Sequence, residues 1–340
     1  MAQSSPFRGP QMALGPGALR LGLAGCVVLS HLSDWEIGRP AVFLFFLLSG
    51  YWVIKIYNES YRSRGGVWHF YLSRGLRIWL PYGAVLLLIF MSQFGQSETE
   101  LALKSWGLLG IASHGQDPLG VSWSLDIELQ FYLLVPCLVW VGARLPWTLN
   151  ALACAAGAVL GWGLILIYGV WTVCAFLPAF GLGAAFALMG WQVSKRQAVI
   201  SGVSFAAAGG LLLVLPGLQS FLSKSTPDPL PADLLGLAWT GLAVPGVMWI
   251  NARATGRFDR HLGDISYPLY LLHWPVIVGV MALTPAFGSA EKLGALGLIT
   301  VAVLVFYVAL DRPLERFRRH VLNRWVPLAP RMRVDRGSIA

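Results

Sequence analysis

The chain has 340 residues, of which 56% are hydrophobic and only 12% charged, with a mean hydropathy of +0.64 and a formal net charge of +9. A soluble domain carries about twice that share of charge, so the composition excludes an ordinary soluble enzyme and implies a polytopic membrane protein. The positive charge does not imply nucleic acid as a partner, because the lysines and arginines fall in short segments between apolar runs, where membrane topology accounts for them.

Apolar runs of spanning length recur at 17–32, 39–56, 78–94, 127–142, 148–168, 171–190, 198–217, 235–251, 266–284 and 291–310. They predict an all-α integral membrane bundle of about ten helices, with an amphipathic interfacial piece at 99–112. With the N-terminus inside, 21 of the 25 basic residues fall on the inner side and 4 on the outer, which predicts both termini in the cytoplasm. Residues 1–14 then form an N-terminal tail, 15–322 the membrane domain and 323–340 a basic C-terminal tail. Cys26, Cys137, Cys154 and Cys174 lie within apolar stretches with no CxxC pair, and are expected to be small buried hydrophobes rather than metal ligands.

Against this apolar background a few polar residues stand out. Arg20 and His31 are eleven residues apart, close to three helical turns and about 16 Å along an axis, so one helix face carries both. Asp34 follows His31 at i+3, and a carboxylate beside an imidazole fixes its tautomer and raises its basicity, which suits general-base chemistry on a hydroxyl. The competing reading is a polar residue bonded to a nearby carbonyl. Arg74 and Arg77, an i, i+3 pair, either snorkel or bind phosphates as a guanidinium fork. Glu128 enters the fourth span from the side on which His31 ends the first, so the two are expected at similar depth. His273 lies between Pro268 and Pro275 in the ninth span. Asp311 and Glu315 read as ion-pair partners at the end of the last span.

Together these segments resemble the acyltransferase family 3 membrane proteins. The matching pieces are the Arg20-to-His31 spacing, FFLLSGYWV at 45–53, RGLR at 74–77, WSLDIELQFYLLVP at 123–136 and ISYPLYLLHWP at 265–275, in order across nearly the whole chain. The resemblance implies an O-acyltransferase of a bacterial inner membrane that moves an acetyl group from cytoplasmic acetyl-CoA to a sugar hydroxyl, without a metal. It implies catalytic roles for His31 and Glu128, joined on spacing by Asp34, and acyl-CoA contacts for Arg20, Arg74 and Arg77. Trp123, Ser124, Tyr132 and His273 are expected to meet substrate. The Asp-Gly usual before the first arginine is Gly17-Ala18 here, and the aspartate usual before the FFxLSG motif is Phe43. A carrier of a small anion or lipid-linked sugar, or an O-acyltransferase with a non-glycan acceptor, remains open at this point.

Overall fold

The computed structural model describes residues 15–62, 66–92, 104–115, 117–215, 217–224, 229–284 and 286–326. The expected tails at 1–14 and beyond 326, and residues 99–103 of the 99–112 piece, lie outside the described residues.

Eleven helices are named here in chain order: α1 (Pro16–Leu32), α2 (Gly38–Ile56), α3 (Val67–Ser92), α4 (Ser122–Gly142), α5 (Trp147–Tyr168), α6 (Val173–Met189), α7 (Lys195–Val214), α8 (Pro229–Asn251), α9 (Arg257–Leu283), α10 (Ser289–Phe306) and α11 (Arg312–Trp325). Eight helical spans among the described residues are long and apolar enough to cross a membrane, and two shorter apolar helices, α1 and α6, complete the bundle. One expected span matches each of α1 to α10, so the protein is the polytopic helical bundle that the hydropathy implied.

Burial separates the centre from the rim. The spanning window of α2 is 67% buried, whereas that of α5 is 6% buried. The central helix packs against α6, α1, α8 and α4; α1 packs on α9, and α7 pairs with α8. The sequence accounts for the closest of these contacts. A methyl group added at Gly50 of α2 would sit 2.1 Å from the Phe180 carbonyl oxygen, and one at Gly183 of α6 would sit 2.0 Å from that of Leu47. Two small residues thus let two backbones touch, as membrane helices without a hydrophobic driving force require. Phe180 then stacks on Phe131 at 4.1 Å and on Phe46 at 4.7 Å, joining α6 to α4 and α2.

Several helices begin earlier than their apolar runs, and three of these bear on the site. α3 starts at Val67 rather than 78, α4 at Ser122 rather than 127, and α9 at Arg257 rather than 266. Their first turns carry Ser, Arg and Asp, which lower the hydropathy without breaking the helix. In consequence Arg74 and Glu128 stand well inside their helices, not at the helix ends. α11 lies beyond the last expected span and is strongly amphipathic; Glu315 on it bonds Arg318 and Arg319 at 2.7 Å each. Asp311, its expected companion, sits in the π-turn Tyr307–Asp311 just before it.

Candidate functional site

Two cavities lie along α1. The first, about 180 Å³, is lined by Arg20, Arg74, Arg77, Ser49, Glu128 and Tyr132 among others. The second, about 390 Å³, is lined by His31, Glu36, Arg39, Asp117, Trp123, Trp171 and Lys224 among others. Val42 and Tyr270 line both. They are called here the arginine cavity and the histidine cavity.

The arginine cavity is built almost wholly by helices. Arg20 comes from α1, Ser49 from α2, Arg74 and Arg77 from α3, and Glu128 and Tyr132 from α4. The Ser49 and Tyr132 hydroxyls each donate to Glu128 Oε1 at 2.6 Å. Arg20 stands 6.0 Å from the Trp52 ring, and Arg74 stands 5.9 Å from that of Tyr132. The Nε of Arg74 is buried with no hydrogen-bond partner. Three guanidiniums against one carboxylate, with a buried donor unspent, make a lining suited to an anion. Its volume holds only part of a coenzyme-sized molecule, so such a ligand would extend beyond it.

The start of α1 is fixed from across the bundle. Asp259 of α9 accepts from the backbone N–H of Gly17 at 3.0 Å and from that of Ala18 at 2.9 Å. A carboxylate on the first-turn N–H groups of a helix satisfies orphan donors and opposes the helix dipole. Here it comes from 241 residues away, and it holds the turn that carries Arg20.

The histidine cavity draws on the segments between helices as well as on the helices themselves. α1 ends at Leu32, so His31 is on its last turn. Lys224 reaches back to the carbonyls that end α1, donating to those of Ser30 and Ser33. The segment 34–36 pairs with 222–224 through Glu36 N–H to the Leu222 carbonyl (2.6 Å) and Lys224 N–H to that of Asp34 (3.0 Å). On the opposite wall, Asp117 accepts from the N–H of Leu119 and of Trp123 at 3.0 Å each. Burial pushes the Asp117 carboxyl above its ordinary range, and those N–H groups pull it back. Asp126, fully buried, accepts from Gly110 and Ala112 N–H at 3.0 and 2.9 Å and so ties the 104–115 segment to α4. Gly120 has φ +68° and lies flush on the Trp274 ring, where a methyl group would be 2.1 Å from Cδ1.

Beside His31 lie two rings of α9: Trp274 at 4.6 Å and His273 at 5.1 Å between centroids. His273 is fully buried, and its Nδ1 is 3.1 Å from the Leu269 carbonyl. Tyr270, one turn away on α9, bonds Ser124 Oγ at 2.6 Å and the Val121 carbonyl at 3.3 Å. With Val42 it forms the partition between the cavities.

The sequence-based site is therefore divided. Arg20, Arg74, Arg77, Glu128, Ser124 and Tyr132 line the arginine cavity, while His31 and Trp123 line the histidine cavity, with His273 behind it. Glu128 does not share a cavity with His31: it lies six residues into α4, about 9 Å along its axis, because that helix begins five residues before its apolar run. Asp34 lies beyond the end of α1 with an exposed side chain and does not line the histidine cavity. Glu36 and Asp117 are the carboxylates that do. Sequence reading passed over both, although Asp117, two residues before the Leu119 N–H it accepts, has the spacing of an Asx turn.

Comparison with known proteins identifies the family. No solved structure matches the chain. OatA of Listeria monocytogenes, named as a peptidoglycan O-acetyltransferase, is 25% identical over 299 residues, covering 74% of this chain and 47% of its own. BcsY of Komagataeibacter xylinus, whose name marks it as a predicted membrane-bound transacylase, is 26% identical over 205 residues, covering 56% of this chain and 50% of its own. The chain thus spans about half the length of these curated relatives. The family model described as an acyltransferase domain matches residues 15–311, a stretch that holds every residue of both cavities, and the chain belongs to that acyltransferase family.

Proposed function

We propose that this protein is a membrane O-acyltransferase that uses acetyl-CoA, or a similar small acyl-CoA, to acylate a hydroxyl of a glycan. The observation that carries the proposal is the pairing of an arginine cavity and a histidine cavity along one helix, with Val42 and Tyr270 in the wall of each. Arg74, Arg77 and Arg20 meet the anionic part of the donor. About 16 Å separates Arg20 from His31 along α1, a distance that the extended arm of a coenzyme thioester covers. His31 takes the proton from the acceptor hydroxyl as that oxygen attacks the thioester carbonyl.

Topology supports the direction. The distribution of basic residues favours the cytoplasmic face for the arginine end of α1, where acyl-CoA is available, and the far face for the histidine end, where a surface glycan or lipid-linked glycan is accessible. Trp123 and Trp171, 5.4 Å apart in the histidine cavity, stand beside Glu36, Asp117 and Arg39, a mixture of ring faces and polar groups suited to a polyhydroxylated acceptor. The name of OatA as a peptidoglycan O-acetyltransferase favours a glycan over other acceptors. The bacterial sources of both relatives favour a bacterial inner membrane.

The test is transfer of label from acetyl-CoA to glycan in vesicles that contain only this protein. His31→Ala is expected to lower the rate by about 10²- to 10⁴-fold, the range of a lost general base. A His31→Ala protein that transfers at the normal rate would end the proposal. Movement of unmodified solute with no transfer would replace it with a carrier.

A further inference from the structure

The buried imidazole behind His31 has a free lone pair. His273 Nδ1 lies 3.1 Å from the Leu269 carbonyl, one turn back on α9. A carbonyl only accepts, so Nδ1 carries the proton. Nε2 of the neutral ring is then an acceptor, and it is buried with no hydrogen-bond partner. An orphaned acceptor is costly in a folded protein, and such groups persist where a function uses them. The nearest titratable ring is that of His31. Their centroids are 5.1 Å apart. Two imidazoles joined by a linear N–H···N bond of about 2.9 Å have centroids about 5 Å apart, and the observed spacing matches that of such a pair.

Three nearby carboxylates do not take this place, and the fourth, Glu36, lies close enough to Lys224 to favour its charged form. Asp34 is exposed beyond the end of α1, and Glu128 is held by Ser49 and Tyr132 in the other cavity. Asp117 is spent on the N–H groups of Leu119 and Trp123. Catalytic bonds are often long before substrate binds and tighten afterwards.

We propose that His273 is the positioning residue of His31, its Nε2 accepting the His31 N–H so that the other His31 nitrogen faces the acceptor hydroxyl in a single tautomer. The proposal rests on the acyl-transfer reading above. In the step it serves, the hydroxyl proton moves to the outward nitrogen of His31 as the new C–O bond forms. The imidazolium so made shares its second N–H with His273. The C–S bond of the thioester then breaks, and the proton leaves with the thiolate. A neutral ring thus does what a carboxylate does in other His-based sites. It leaves no second charge buried once the reaction is over, which suits a position that is fully enclosed.

The experiment compares His273→Phe, which keeps a ring but removes the acceptor, with His273→Gln, whose amide oxygen can replace it. Both are measured in vesicles for kcat and for acetyl-CoA KM. The 15N spectrum of the His31 ring, assigned by difference from His31→Ala, is recorded alongside. His273→Phe is expected to lose about 10- to 100-fold in kcat, the usual cost of removing a histidine's orienting partner. Its donor KM should stay within about twofold, and its His31 signal should show mixed tautomers; His273→Gln should recover part of the rate. Should His273→Phe fail to fold, His273→Met takes its place. Full kcat in the Phe variant, equal loss in Phe and Gln, or a single His31 tautomer in both would overturn the proposal. An active His31→Ala would instead remove the reading beneath it, whereas an inactive His31→Ala beside a fully active His273→Phe would remove the pairing alone.

Discussion

The two cavities differ in what holds their walls. The arginine cavity takes its polar side chains from the interiors of α1, α2, α3 and α4, with Glu128 fixed by two hydroxyls at 2.6 Å. The histidine cavity takes most of its charged lining from the segments between helices, pinned by backbone pairing between 34–36 and 222–224 and by the carboxylates of Asp117 and Asp126. A site set in helices is the more rigid of the two, and loops are where sequences vary with least effect on the bundle. On the acyl-transfer proposal above, the contrast assigns the donor to the helix-built end and the acceptor to the loop-built end.

The sharpest way to break that contrast is to empty the arginine cavity of charge. Arg74→Leu with Arg77→Leu removes two of its three guanidiniums and leaves Glu128 in place. The double variant is expected to raise the acetyl-CoA KM by about 100-fold, the sum of two charged hydrogen-bonding contacts of about 1.5 kcal/mol each. The acceptor KM should move less than about threefold. Steady-state kinetics with donor and acceptor varied in turn decides it; a rise confined to the acceptor KM would show that the cavities have been assigned the wrong way round.

The partition offers a second, smaller test. Tyr270 bonds Ser124 and the Val121 carbonyl, and its ring stands 6.3 Å from that of Phe45. Tyr270→Ala should join the two cavities and admit water to the donor's path. Thiol release from acetyl-CoA with no acceptor present is then expected to rise about 10-fold, because excluding water is what prevents such hydrolysis. Tyr270→Phe keeps the ring and should leave that leak near the wild-type level. Equal leaks in the two variants would mean that the hydroxyl, rather than the bulk of the ring, closes the partition.

How much of this could be read from the chain follows the same divide. The ten spans were legible because their hydropathy is continuous. The arginine cavity was legible in part, because Arg20, Arg74, Arg77 and Glu128 stand out within apolar runs. Their depth was not, because α3 and α4 begin in polar first turns that hydropathy reads as loop. The histidine cavity was less legible. His31 was visible as an imidazole in a span, but its neighbours are set by contacts between segments far apart in the chain: Lys224 on the Ser30 and Ser33 carbonyls, Trp274 on Gly120, His273 against His31. A polar residue in a loop carries no contrast with its surroundings, so Glu36 and Asp117 passed unremarked and Lys224 counted only as one of the four outer basic residues. Asp259, on the first N–H groups of α1, escaped for the same reason; no local pattern links it to Gly17.

The finest distinction lies between two carboxylates two residues apart. Asp34 sits at i+3 from His31, which on a continuous helix would place it on the same face. The helix ends at Leu32, however, and Ser33 is already extended. Asp34 therefore turns outward with its side chain exposed, while Glu36, partly buried, reaches the cavity wall. Asp34→Ala is expected to change kcat/KM by less than about twofold, because the side chain is exposed and the backbone pairing of Asp34 with Lys224 survives the change. Glu36→Ala should raise the acceptor KM by about five- to tenfold, the worth of one hydrogen bond of about 1 kcal/mol or slightly more, with the donor KM unmoved. If Asp34→Ala proved the more damaging of the pair, α1 would have to continue past Leu32 when substrate is bound, and the loop-built character of this end of the site would itself be in question.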